Sequence, residues 1–300
     1  MGEWCDGGGG RLMTTEDGFL RAIAFAINDR LPRLVFADWL DEQGDPRAEW
    51  LRLTCELDEL GPKDGRRPAL EARKQALWDA HRDGLIGWER QFALARIQSK
   101  VARIPAEVVP FDPALHFRGE SHFRGPLHPN PVLSEAEVLA FEAEYRVTLP
   151  DEYRLFLCQV GNGGLGPGDG LLRLADAVDQ SPSRDLGTPF PFSIRQYRED
   201  PDRFYQERST EEPQPWPGVL YLSAPHEVYE YAYLVITGED RGMMWGYGPT
   251  NCGWTPECTS SDLDNKWAHG ELRGFFRWYE DWLDDWLDHY LPKPTAGGGG

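Results

Sequence analysis

Three hundred residues, 40% hydrophobic and 12% aromatic, carry enough apolar material for about two cored domains, which excludes wholesale disorder. The formal charge of −19 is unevenly spread: residues 1–102 hold 18 acids and 15 bases, the remainder 32 and 16. A field of that sign repels phosphate backbones and steers basic partners, so the later half is expected to meet a basic protein surface and not to bind nucleic acid directly.

Apolar runs such as AIAFAI and YLVIT fall well short of the roughly 20 residues that cross a bilayer. The opening MGEWCDGGGG has neither the basic start nor the apolar core of a secretory signal, so a cytoplasmic location is expected. Five cysteines, odd in number and widely spaced, argue for reduced thiols over a disulfide framework. Cys252 and Cys258 lack a second Cys/His pair, and His116, His122 and His128 lack flanking ligands, so no metal is expected.

In chain order, residues 1–12 and 293–300 are glycine-rich and read as flexible tails. Residues 13–103 read as a helical domain. Thr14 is placed to cap a helix whose Phe19, Ile23 and Ile27 share a face. A second helix through PRLVFADWLDE has Pro32 in its first turn, Leu34, Val35 and Trp39 as the expected buried stripe, and Gly44 as C-cap. Asp45 and Pro46 open a third through RAEWLRLTCELDEL, and a fourth covers ALEARKQALWDAH. Residues 104–132 are Pro-rich and aperiodic, and mark a linker.

Residues 133–292 read as the second domain. LSEAEV carries a capping box, Ser134 with Glu137, and a Leu133–Val138 staple. Val138, Phe141 and Tyr145 point inward from that helix. A second helix starts at Leu149-Pro150 with Tyr153, Phe156, Leu157 and Val160 inward, and ends at GNGGLGPGDG. Strands follow at VLYLS, YAYLVIT and MMWGY, the last two joined by the turn GEDRG. The closing segment repeats Leu272, Phe275, Phe276, Tyr279, Leu283, Trp286, Leu287 and Tyr290 at helical spacing. Its other face carries Glu280, Asp281, Asp284, Asp285 and Asp288, with few bases expected to pair them.

Gly161, Gly163 and Gly166 satisfy GxGxxG. A dinucleotide fingerprint needs a strand before its glycines, and here a helix precedes them, so a helix C-cap is expected and no cofactor. No Walker lysine, GxSxG or HExxH occurs, and no cysteine or serine has a visible relay partner. No catalytic residue is expected. Asp38 is expected to serve as a helix-face or capping carboxylate, and Glu239 and Asp240 to stay hydrated in their turn.

The segments FEAEYRVTLPDEYRLFLCQVGNGGLGP, LVITGEDRGMMWGY and FFRWYEDWLDDWL resemble the opening, central hairpin and closing segment of the SUKH superfamily, over about Leu133 to Leu291. PRLVFADWLDEQGDPRAEWLRL and LWDAHRDGLIGW resemble the bacterial repeat-companion domain, which implies no activity. The SUKH resemblance implies an α+β domain with a twisted, mainly antiparallel sheet packed by helices. It implies a non-enzymatic binding role, either immunity against a partner toxin, many of them nucleases, or regulation of the fungal cell-wall type. The resemblance fixes no binding site. Surface acids Asp151, Glu152, Glu227, Glu230, Glu239 and Asp240 are expected to steer the partner. Trp245, Tyr247 and Trp254, beside a Gly/Pro-rich loop, and Trp278 and Trp282, off the closing helix's strictest stripe, are the aromatics expected to touch it.

Overall fold

In the computed structural model, residues 14–25, 29–61, 63–105, 126–181, 183–200, 204, 216–223, 231–248, 253–257 and 272–290 are described. The chain divides into two compact units, Met1–Ser99 and Lys100–Gly300.

The first unit is built of helices α1 (Thr15–Phe25), α2 (Arg30–Glu42), α3 (Arg47–Glu59) and α4 (Arg67–Val101). The Asp17 amide donates to Thr14 Oγ1 at 3.1 Å and the Thr14 amide to the Asp17 carboxylate at 2.9 Å, a reciprocal cap with Asp in place of the usual Glu. At the end of α2 the Gly44 amide donates to Asp41 O and the Asp45 amide to Leu40 O. Gly44 sits at φ +67°, the left-handed conformation that this double bond requires. Asp45 then accepts from the Arg47 amide at 2.9 Å and starts α3.

The buried face of α2 differs from the expected one. Phe36, Ala37 and Leu40 are interior, whereas Val35 is exposed and Leu34 and Trp39 are only partly covered. The covered face is the one that carries Phe36, which stacks on Phe19 at 5.2 Å. The fourth helix breaks at its expected end, His81, where the backbone leaves helical geometry (φ −130°, ψ 23°), and a further helical stretch continues from there to Val101. Leu77, Leu85 and Trp88 then enter one core with Trp50 and Leu53. Ile27 lies outside the described residues.

The second unit opens with α5 (Glu135–Tyr145) and α6 (Asp151–Gln159), followed by the short α7 (Leu174–Asp179) and α8 (Ile194–Glu199). Ser134 Oγ accepts from the Glu137 amide and Glu137 accepts from the Ser134 amide, as the capping box predicts. Strands β1 (Val219–Ser223), β2 (Tyr231–Val235), β3 (Met244–Gly248) and β4 (Gly253–Pro256) form an antiparallel meander in the order β1-β2-β3-β4. The expected α+β class with an antiparallel sheet is what is seen. Strand β4 escaped the sequence reading because GWTP offers a glycine and a terminal proline in place of β-branched residues. The closing helix, here α9, spans Phe275–Tyr290.

Period-two alternation puts Tyr221, Tyr233, Trp245, Tyr247 and Trp254 on one face of the sheet. That face is buried with Phe190, Phe192, Tyr197 and Phe204. Behind α6, Phe156 meets Phe275 at 5.1 Å and Tyr279 at 4.9 Å, both edge to face, which docks α9. The free edge of β1 is satisfied: the Leu172 amide donates to Leu222 O, and the Tyr221 amide to Ser181 Oγ.

Candidate functional site

The β2–β3 turn and the start of α6 lie together. Arg241 donates to Thr148 O at 3.0 Å and Leu149 O at 2.9 Å, and Gly242 approaches Pro150. Asp151, Glu152, Glu239 and Asp240 are therefore gathered at one end of the sheet. Tyr247 and Trp254 pair with each other at the other end of β3 and β4. Of the expected aromatics, Tyr247 and Trp254 thus lie away from these acids.

Within the gathered group, the acids have different work. Asp240 is buried, and its Oδ2 accepts from the Ile194 amide at 2.7 Å and from Trp245 Nε1 at 3.2 Å. Burial pushes its carboxyl above the usual range, against the lowering effect of those two donors. The expectation of a hydrated turn residue is corrected here: Asp240 ties the turn to α8 and to the aromatic core. Glu152 accepts from the Phe276 amide at 2.9 Å, which satisfies an orphan donor at the N-terminus of α9. Glu239 is half exposed and pairs with Arg195 through two contacts of 3.1 Å. That guanidinium holds the Glu239 carboxyl below its ordinary range and offsets much of its field. Asp151 is exposed. Glu227 and Glu230 lie outside the described residues.

Four of the five aromatics are corrected as well. Trp245, Tyr247, Trp254 and Trp278 are interior. Trp245 meets Phe190 at 5.4 Å, and Trp254 meets Phe190 at 5.2 Å and Tyr233 at 4.7 Å. Their faces are spent on core packing, because residues some sixty positions upstream cover the sheet. Trp282 is partly buried and 5.6 Å from Tyr279.

The acidic face of α9 is less bare than expected. Arg273 and Arg277 both reach Asp281, and Glu280 is buried, while Asp285 and Asp288 are exposed. In the first unit Asp38 pairs with Arg52 at 2.8 Å.

The glycine segment offers no phosphate cradle. The amides of Gly161 and Gly164 donate to Phe156 O and Leu171 O. A Cβ at Gly163 (φ +73°) would stand 2.5 Å from Leu172 O, so backbone packs where a ligand would sit. Among the described residues no group of three or more His, Cys, Asp or Glu is placed to hold a metal. His116, His122, Cys252 and Cys258 lie outside them. Cys55 and Cys158 are free thiols, and no described helix is long and apolar enough to cross a membrane.

One surface was missed. Among the described residues of the second unit, the large apolar side chains left exposed are Val132 (50%) and Leu139 (52%). Ala136, Ala140 and Ala143 are exposed beside Leu139. These alanines and Leu139 recur at i, i+3, i+4 and i+7, a second apolar stripe on the same helix as Val138, Phe141 and Tyr145. The signal was present in the sequence, but the stronger inward stripe of α5 hid it.

The model of the family described as SMI1 / KNR4 family (SUKH-1) matches residues 132–293. No curated protein and no solved structure matches the chain.

Proposed function

The chain belongs to the SMI1/KNR4 family (SUKH-1), and from that premise we propose that its second unit is a protein-binding module that acts by occupying a partner and turns over no substrate. Immunity-type neutralisation of a toxin with a basic surface, in the cytoplasm, is the form we favour. The observation that carries this is how the fixed carboxylates are used. Glu142, Glu152 and Asp240 each spend an oxygen on a backbone amide of their own fold, so these carboxylates hold loops and helix ends in place. The matched segment is also net acidic: residues 132–293 hold 29 acids and 13 bases, which favours fast capture of a basic surface.

Affinity capture with the full chain from its native host, followed by mass spectrometry, tests the proposal. A stoichiometric partner whose own activity is silenced on binding is the expected result. A partner drawn from endogenous signalling would move the protein to the regulatory branch. Turnover of a small molecule by the purified chain would overturn the proposal altogether.

A further inference from the structure

Helix α5 is apolar on two faces. Val138 is buried inward and Phe141 and Tyr145 are partly so, yet Ala136, Leu139, Ala140 and Ala143, with Val132 just before the helix, present a second stripe outward. A helix at a domain surface normally ends its apolar arc where the core ends, and exposed branched side chains grouped on one face mark a contact surface.

The helix itself is rigidly held. Glu142 accepts from the Leu149 amide at 2.8 Å and from Arg154, the capping box fixes its start, and Arg146 closes its end in the left-handed conformation (φ +55°). The stripe is thus presented on a preorganised element, which lowers the ordering cost of an encounter.

Its rims decide what can sit there. Exposed Glu137 and Glu144 border one side, and exposed Glu135 the other. Glu135 is paired with Arg154, whereas Glu137 is engaged by its own cap residue, Ser134. A second copy of this chain docked stripe to stripe would set glutamate rims against glutamate rims, within a domain already carrying 29 acids against 13 bases. Like charges at such spacing oppose that pairing. A helix with an apolar stripe and lysine or arginine along its edges satisfies both the stripe and the rims.

We propose that the outward face of α5, centred on Leu139 with Val132, Ala136, Ala140 and Ala143, is the docking surface for a basic amphipathic helix of the partner protein. The assignment rests on the protein-binding role proposed above and specifies where that role is exercised.

The test uses the full chain and a synthetic helical peptide about five turns long, with leucines at i, i+3, i+4 and i+7 and lysines elsewhere. Two comparison peptides are a scramble of the same composition and a version with glutamate for lysine. Binding is followed by fluorescence anisotropy. The lysine amphipath should bind, the scramble should bind about tenfold more weakly, and the glutamate version should not bind. Leu139→Gln should weaken the amphipath about tenfold, as loss of one buried leucine contact implies. Ala140→Glu, a second exposed position, should do the same if the first variant folds poorly. Glu144→Lys should slow association at low salt and lose that effect at high salt.

Equal binding of amphipath and scramble, or unchanged affinity in folded Leu139→Gln and Ala140→Glu chains, would overturn the assignment. So would dimerisation of the free chain abolished by Leu139→Gln, since the occupant would then be a second copy. If the host partner is captured equally by wild type and Leu139→Gln, the docking surface fails while the binding role stands. If no partner is captured and the chain shows turnover, the role itself fails.

Discussion

Removing the Asp240 carboxylate should uncouple the β2–β3 turn from α8. Asp240→Ala strands two donors, the Ile194 amide and the Trp245 indole, both of which meet the same oxygen, at 2.7 and 3.2 Å. A stranded buried donor costs about 1–3 kcal/mol, and relief of the carboxylate's own burial returns part of that. We expect a loss of about 2–4 kcal/mol, or about 1 M in urea midpoint for an m-value near 2–3 kcal/mol/M. Asp240→Asn keeps a carbonyl oxygen in that position and should lose far less. The pH dependence follows from the direction of the shift. Burial raises the folded carboxyl above its unfolded value, so its contribution is fully present below an unfolded pKa of about 3.9. It declines as pH rises through the folded value, because the unfolded chain releases the proton first. Asn does not titrate, so the difference between Asp240→Asn and wild type should move in favour of the variant as pH rises above the unfolded carboxyl value of about 3.9. Urea melts followed by near-UV circular dichroism, which senses Trp245, provide the assay. An Ala variant within about 0.5 kcal/mol of wild type, or an Asn variant as damaged as the Ala variant, would refute the reasoning.

Gly163→Ala and Gly44→Ala separate strain from crowding. Both sites have positive φ, but a Cβ at Gly163 meets Leu172 O at 2.5 Å, while nothing lies within 4 Å at Gly44. The second should cost about 1–2 kcal/mol and the first clearly more in urea melts; equal costs would mean that crowding at Leu172 is relaxed away. Glu142→Ala should lose about 2–4 kcal/mol by stranding the buried Leu149 amide and loosening Arg154, whereas Glu142→Gln, which still accepts from that amide, should lose less by the same measurement. Glu239→Lys frees and then opposes Arg195; stopped-flow mixing with the captured partner should show slower association at low salt and little change at high salt. An unchanged rate would remove the turn from the steering surface.

Part of the fold was legible because the bonds that make it are local. The Ser134–Glu137 box, the Gly44 C-cap, the Asp45 start of α3 and the helix before the glycine segment all rest on partners within about five residues, so residue type and spacing suffice to read them. The amphipathic period likewise placed α6 and α9, and the resemblance of three segments led to the family.

Exposure was not legible, and the candidate site suffered for it. Trp245 and Trp254 look like surface aromatics beside a loop, but Phe190, Phe192 and Phe204 arrive from far upstream to bury them. Asp240 looks like a solvated turn acid until α8, some forty-five residues earlier, brings the Ile194 amide to it. The turned stripe of α2 and the outward stripe of α5 are the same problem: a helix's sequence says which faces are apolar, and only its neighbours say which one is covered. Local chemistry sets where elements begin and end, while burial is a property of contacts between residues distant in the chain. Those contacts exist only once the chain has folded.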